Sequence, residues 1–229
     1  MADKPSRGLV LYGDGLARFV HIHLHSLAAQ SLCGFLSLPE NVDGRTIGEF
    51  LNLVDAYEPP ISERFMGVRA ALITLGLSVL QSDELAMELL KLLGFEDEKV
   101  LDTNKFDLIF VHVYINSLIG EIISKAKPKS EIGSRLHLSV VLSYGDTESM
   151  KSDLASLIPR QSYTMKGSNV REYCPMLMAQ WQEGVTRKDL VKTFSFQDFK
   201  ENGGNLTIPA DRFVHEVAFK LWKAPKYGA

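Results

Sequence analysis

The sequence predicts an α/β protein, a mostly parallel central sheet flanked by helices on both faces in a three-layer αβα arrangement. Three observations predict it. Short and almost wholly apolar runs recur along the chain, among them Leu9-Val10-Leu11-Tyr12, Leu108-Ile109-Phe110-Val111 and Leu138-Ser139-Val140-Val141-Leu142, as strands buried on both sides require. Segments with apolar residues at helical spacing separate these runs, so the connections read as crossovers between parallel strands. The first run closes on Gly13-Asp14-Gly15 and enters an amphipathic stretch, which reads as strand, tight turn and helix start.

The elements follow in order. After the first strand, 16–30 has helical periodicity and leads to a short apolar run at 33–36, a second strand. Pro39 and Gly44 mark a loop. Thr46, with Glu49 three residues on, can cap a helix whose apolar stripe is Phe50, Leu51, Leu53 and Val54 and which Pro59-Pro60 stops. A strand is predicted at 68–74. A helix then begins at Ser78 or Ser82, carries Leu85, Leu89, Leu90 and Leu93 and closes at Gly94. The segment 107–113 is β-branched and apolar, hence a central strand. A helix over 117–127, a loop through Pro128 and Gly133, and a strand over 136–143 ending at Tyr144-Gly145-Asp146 come next. Beyond them, 147–157 reads as helix, 159–171 as irregular loop and 175–181 as a last strand. The tail mixes a short helix, a Gly203-Gly204 turn and an amphipathic helix over 210–222.

Composition bounds what the chain can do. Its 229 residues, 45% hydrophobic, suffice for one sizeable core that buries roughly 70% of the unfolded surface, so a single domain over 1–229 is expected. A formal net charge of −3 with scattered lysines supplies no basic field for nucleic acid. No apolar run approaches the ~20 residues of a membrane span. The opening Met1-Ala2-Asp3-Lys4-Pro5 lacks the apolar core of a secretory signal, and a cytoplasmic location is expected. Cys33 and Cys174, far apart in apolar segments, read as buried thiols rather than a disulfide.

Candidate chemistry concentrates at strand exits. Asp14 and Asp146 each follow a predicted parallel strand, where open α/β sheets collect ligands and where two carboxylates could converge on a divalent cation. An Asp in such a turn also caps helices, and both roles stay open here. His21, His23 and His25 would share a face on a strand. The helical pattern around them separates His23 from the other two and argues against a metal site. His112 reads as a core histidine, while His137 and His215 fall at element edges. A dinucleotide fingerprint, a Walker-type phosphate loop and a nucleophile elbow are all missing from the sequence.

The order of segments resembles the alkaline phosphatase superfamily, and within it the archaeal-type cofactor-independent phosphoglycerate mutases. The strand ending Tyr12-Gly13-Asp14-Gly15 is similar to that family's opening strand with its metal-binding Asp. His25-Ser26-Leu27-Ala28 and Cys33-Gly34-Phe35-Leu36 resemble the helix and strand that come next. The run from Lys105-Phe106-Asp107 to Val111-His112-Val113 resembles the strand before the family's next metal ligands. The strand ending at Asp146 resembles the one that carries its Asp-His pair. At 229 residues, a form without the family's inserted second domain is expected.

The resemblance implies two divalent metals and a serine or threonine that is transiently phosphorylated, with the metals neutralising the charge that grows in transfer. Carried over by position, Asp14 and Asp146 match. The expected histidine after Asp146 is Thr147, the next Asp and His fall on Ser117 and Glu121, and a further histidine falls near Asn169. Arg45 takes the place of the nucleophile, with Thr46 the neighbouring hydroxyl. The expectation is therefore a catalytically degenerate member that binds a protein partner or a small phosphorylated ligand and holds no cofactor. The alternative is a reduced metal-dependent phosphohydrolase or phosphotransferase. In it Asp14, Asp146 and Glu121 hold one Mn, Zn or Mg ion, Thr46 accepts the phosphoryl group, and Arg45 and Arg69 clamp phosphate. Phe213, Val217 and Leu221, read as exposed apolar positions of the last helix, suit a packing face or equally a homodimer contact.

Overall fold

A computed structural model describes residues 6–13, 22–38, 45–56, 58–74, 82–112, 116–143, 173–204 and 206–225. Its frame is a seven-stranded sheet. In chain order the strands are β1 (Arg7–Gly13), β2 (Leu32–Leu38), β3 (Ala70–Thr74), β6 (Leu108–His112), β7 (Leu136–Leu142), β8 (Tyr173–Trp181) and β9 (Leu206–Pro209). A two-stranded hairpin, β4 (Phe95–Glu96) with β5 (Lys99–Val100), lies apart from it.

Across the sheet the order is β3-β6-β1-β7-β8-β2-β9. Every neighbouring pair is parallel except those made by β8, which runs antiparallel to both β7 and β2. The predicted fold class, a mostly parallel sheet between helices, is what forms. β1 sits inside the sheet, with Leu9 level with Ile109 on one side and with Leu138 on the other.

Alternation along the strands sorts side chains into two apolar layers. Leu9 and Leu11 of β1, Ile109 and Val111 of β6, and Leu138 and Val140 of β7 pack with α1 (Ile22–Ala28), α4 (Ser82–Leu92), α5 (Asn116–Lys125) and α7 (Phe196–Asn202). Val10 and Tyr12, Leu108 and Phe110, and Val141 pack on the opposite face with α2 (Arg45–Leu53) and α8 (Phe213–Lys220). The two layers cover β1, β6 and β7 on both faces, which explains their largely apolar sequences; His137 and Ser139 of β7 are polar but fully buried.

Several short elements differ from the sequence reading. The stretch read as a loop through Pro128 and Gly133 contains a single-turn helix, α6 (Glu131–Arg135), whose start is capped where Ser130 Oγ accepts from the Gly133 N–H at 2.9 Å. A further turn, α3 (Ile61–Arg64), follows Pro60. β8 is not the last strand, because β9 adds to the sheet edge parallel to β2 and ends in Pro209. Thr46 lies inside the first turn of α2, which opens at Arg45, so it is not the residue before the helix. Phe213, Val217 and Leu221 are completely buried against the sheet and form a packing face, not an exposed contact. His137 is within β7 and fully buried, not at an edge. Cys33 is a free buried thiol as expected, and burial beside Asp189 pushes its pKa up, away from reactivity.

At the amino ends of the parallel strands two arginines tie loops to the sheet. Arg7 donates to the carbonyls of Leu93 (2.7 Å), Gly94 (2.6 Å) and Leu101 (2.6 Å), fastening the end of α4 and the hairpin to β1. Gly94 stands where a side chain would not fit: its φ is +76°, and a Cβ would come within 2.5 Å of Arg7 Nη1. Arg69 bonds Asp107 through its backbone N–H (2.9 Å), Nε (3.2 Å) and Nη2 (3.0 Å). Burial works against the Asp107 carboxylate. The bonds from the Arg69 side chain and backbone and from Asn104 outweigh that and hold its pKa down at about 2.

Candidate functional site

β1, β6, β7, β2 and β3 all run the same way, so they leave the sheet along one edge, where α/β sheets gather ligands. The exits of β1 and β7 are adjacent: the Ser143 N–H donates to the Gly13 carbonyl at 3.0 Å. Asp14 follows Gly13 directly and Asp146 follows Ser143 by three residues, but both aspartates lie outside the described residues, as do Thr147 and Asn169. The backbone of Arg45 and Thr46 forms the first turn of α2, and their side chains lie outside the description.

Glu121 is half-buried on α5, the helix after β6, and Ser117 stands one turn before it. Positions four apart share a helix face, so α5 has the spacing that two ligands from one helix would need but supplies only one carboxylate. Gly120 beside them is a close approach. A Cβ there would come within 2.8 Å of the His23 ring, and the His23 N–H donates to Asn116 Oδ1 at 3.2 Å, which seats α1 on α5. His25 looks elsewhere, its Nδ1 accepting from the Phe194 N–H at 2.9 Å. Among the described residues no three His, Cys, Asp or Glu side chains come together as a metal shell.

Arg69, expected to clamp phosphate with Arg45, is at the other end of the sheet. It precedes β3 and is engaged with Asp107 and Asn104 at the amino ends of the strands. The direction of β3 decides this, since a residue before a parallel strand lies a strand length away from the exits.

What the edge does bring together is a group that sequence reading missed. Tyr12, the penultimate residue of β1, donates its hydroxyl to Glu49 Oε2 of α2 at 3.1 Å. Its ring lies 5.1 Å from Phe50 and 5.2 Å from His112, and Phe50 and His112 stack at 5.7 Å with 26° between their planes. Three rings from β1, α2 and β6 thus close the exits on this face, with the Glu49 carboxylate, 3% exposed, buried behind them. Glu49 had a local reading, as the far end of a capping pair with Thr46, and His112 a generic one as a core histidine. One signal was available: Tyr12 is the one residue of its apolar run with a polar atom, and a buried tyrosine hydroxyl takes a partner. Of this group only the half-buried His112 imidazole is partly accessible; Tyr12, Phe50 and Glu49 are buried behind it.

No family model matches the chain. No curated protein matches it either. Among solved structures it is similar to a protein in the alkaline phosphatase superfamily from Vibrio parahaemolyticus, with 9% sequence identity and a TM-score of 0.47. The likeness covers 81% of this chain and 62% of that one, so the chain spans less than two thirds of that protein's length. Among the described residues, no helix is long and apolar enough to cross a membrane.

Proposed function

We propose that this chain is a phosphoglycerate-mutase-like domain of the alkaline phosphatase type that has lost phosphoryl transfer and binds a small phosphorylated ligand at the exit edge of its sheet. The observation that carries this reading is on α5. The helix has the spacing that the resemblance requires of a ligand pair, yet it presents Ser117 and Glu121, and a serine hydroxyl is a poor substitute for a carboxylate at a divalent cation. The start of α2 supports binding without turnover. Its first N–H groups follow β2 out of the same edge, with Arg45 in the opening turn, a combination that attracts phosphate. His112, half-buried over the Tyr12 and Phe50 rings, would border such a ligand from the β6 side.

The test pairs metal analysis of the purified protein with a phosphoester screen in Mn²⁺, Zn²⁺ and Mg²⁺, and with thermal shifts on inorganic phosphate and small phosphoesters. The expected result is no turnover, together with a ligand-dependent stabilisation that Arg45→Ala removes. Enzyme-like turnover that Asp14→Ala abolishes would overturn it in favour of a reduced phosphohydrolase, with a metal on Asp14, Asp146 and Glu121 and Thr46 as acceptor.

A further inference from the structure

β3 is an edge strand of an unusual kind. Among the described residues it pairs with β6 alone, and its sequence, Ala70-Ala71-Leu72-Ile73-Thr74, holds no charge and no proline. Edge strands are ordinarily blunted by Lys, Pro, a bulge or a cover, because open N–H and C=O groups recruit other strands. The opposite edge, β9, ends in Pro209. Among the described residues nothing comparable protects β3, none of whose residues is buried and whose Leu72 is 54% exposed.

The free groups can be assigned. The Arg69 carbonyl accepts from the N–H groups of Asp107 and Leu108, so Arg69, Ala71 and Ile73 bond inward to β6. By strand alternation Ala70, Leu72 and Thr74 direct their N–H and C=O groups outward, and no described segment pairs with them. The side chain of Leu72 borders an apolar groove on the α2 face, walled by Val54, Pro59, Pro60, Ile61 and Val68.

We infer that β3 is a dimerisation edge, pairing antiparallel with β3 of a second copy about a two-fold axis through Leu72. The strand is complementary to itself in that arrangement. Leu72 meets the same residue of the second copy as a hydrogen-bonded pair, and Ala70 meets Thr74 in the two flanking pairs. Ala71 faces Ile73 on the other side, so each alanine stands opposite a larger residue and no like charges meet. The two leucines would cover the groove that each molecule leaves open, and an isologous contact closes at two copies instead of propagating.

Sedimentation velocity on the full chain, over a range of concentrations, tests this through three variants. Leu72→Lys sets two ammonium groups across the axis and should weaken association on the order of a hundredfold or more. Leu72→Pro removes only an outward donor, leaving the β6 pairing intact, and should act alike with an unchanged circular dichroism spectrum. Leu72→Cys in a Cys174→Ser background should cross-link two copies under a mild oxidant, because hydrogen-bonded antiparallel partners stand about 5.5 Å apart at Cα, within disulfide reach. A wild-type chain that stays at the single-copy mass up to its solubility limit would overturn the inference, as would a dimer that all three variants leave unchanged. A monomer that instead takes up an extended peptide along β3 would also overturn it.

Discussion

Lowering the pH from 7 to 5 should destabilise this protein through His137. The imidazole is fully buried in β7, and burial, with the Lys220 charge adding to it, pushes its pKa down to about 3 from 6.5. Gln182 beside it pulls the other way and less strongly, and Ser139 Oγ lies 3.4 Å from Nε2. A histidine whose folded pKa is depressed stays neutral in the native state and charges on unfolding. Between pH 6.5 and 3 the unfolded chain therefore binds the extra proton, and stability falls as pH falls. At pH 5 the unfolded histidine is about 1.5 pH units below its pKa while the folded one is still neutral, which at 1.36 kcal/mol per unit is a loss of about 2 kcal/mol. That figure does not depend on the folded pKa as long as it stays below about 4. Urea unfolding at pH 7 and pH 5 measures it, with His137→Gln as the non-titrating reference and His137→Leu as a second in case glutamine disturbs the site. For an m-value of about 2–3 kcal/mol/M, the wild-type midpoint should drop roughly 0.7–1 M more than the variants'. Equal displacement of the midpoint in wild type and both variants would refute the reasoning.

Three further outcomes follow from contacts elsewhere. Gly120→Ala should cost about 1–3 kcal/mol by driving a methyl into the His23 ring 2.8 Å away, and His23→Ala should recover most of it in a double-mutant cycle read by thermal unfolding. Arg7→Ala should cost about 2–4 kcal/mol in urea, because it strands three loop carbonyls, while Arg7→Lys should restore only part because one ammonium cannot span them all. Tyr12→Phe should cost about 1–3 kcal/mol by removing the hydroxyl from the buried Glu49 carboxylate, and Glu49→Gln should lessen that penalty by removing the charge.

What was legible in the sequence follows the physics of each element. β1, β6 and β7 declare themselves because a strand covered on both faces is apolar at most of its positions, with Arg7, His137 and Ser139 as buried polar exceptions. α4 was legible at its end, where Gly94 takes a positive φ under Arg7. β9, α6 and the β4–β5 hairpin were not. Each is two to five residues long, too short to show a period: β9 owes its form to β2, distant in sequence, while the hairpin and α6 are local turns, the latter held by its Ser130 cap. The candidate site divides in the same way. Strand exits could be placed from the βαβ rhythm, which is why Asp14 and Asp146 were singled out. The Tyr12–Glu49 bond spans 37 residues and depends on which face of β1 meets which face of α2, and no local pattern encodes that. Arg69 was misplaced because its neighbourhood to a strand was legible while the direction of that strand relative to the exits was not.

With the proposed ligand at the strand exits, stability and binding would fall at opposite ends of the sheet, which makes the proposal testable without knowing the ligand. At the amino edge two strong polar groups are engaged by structure: Arg7 by three carbonyls, Asp107 by Arg69 and Asn104. A variant there lowers the unfolding midpoint and leaves any ligand-induced shift intact, since linkage depends on affinity for the folded state and not on how stable that state is. At the exit edge Tyr12 and Glu49 are buried and bonded to each other, whereas His112 is half-buried and retained by ring contacts to Tyr12 and Phe50. His112→Ala should therefore change the ligand-induced shift by a larger fraction than it changes the stability of the free protein. The opposite pattern, with binding sensitive to Arg7 and indifferent to His112, would move the site to the amino edge and overturn the ligand site proposed at the strand exits.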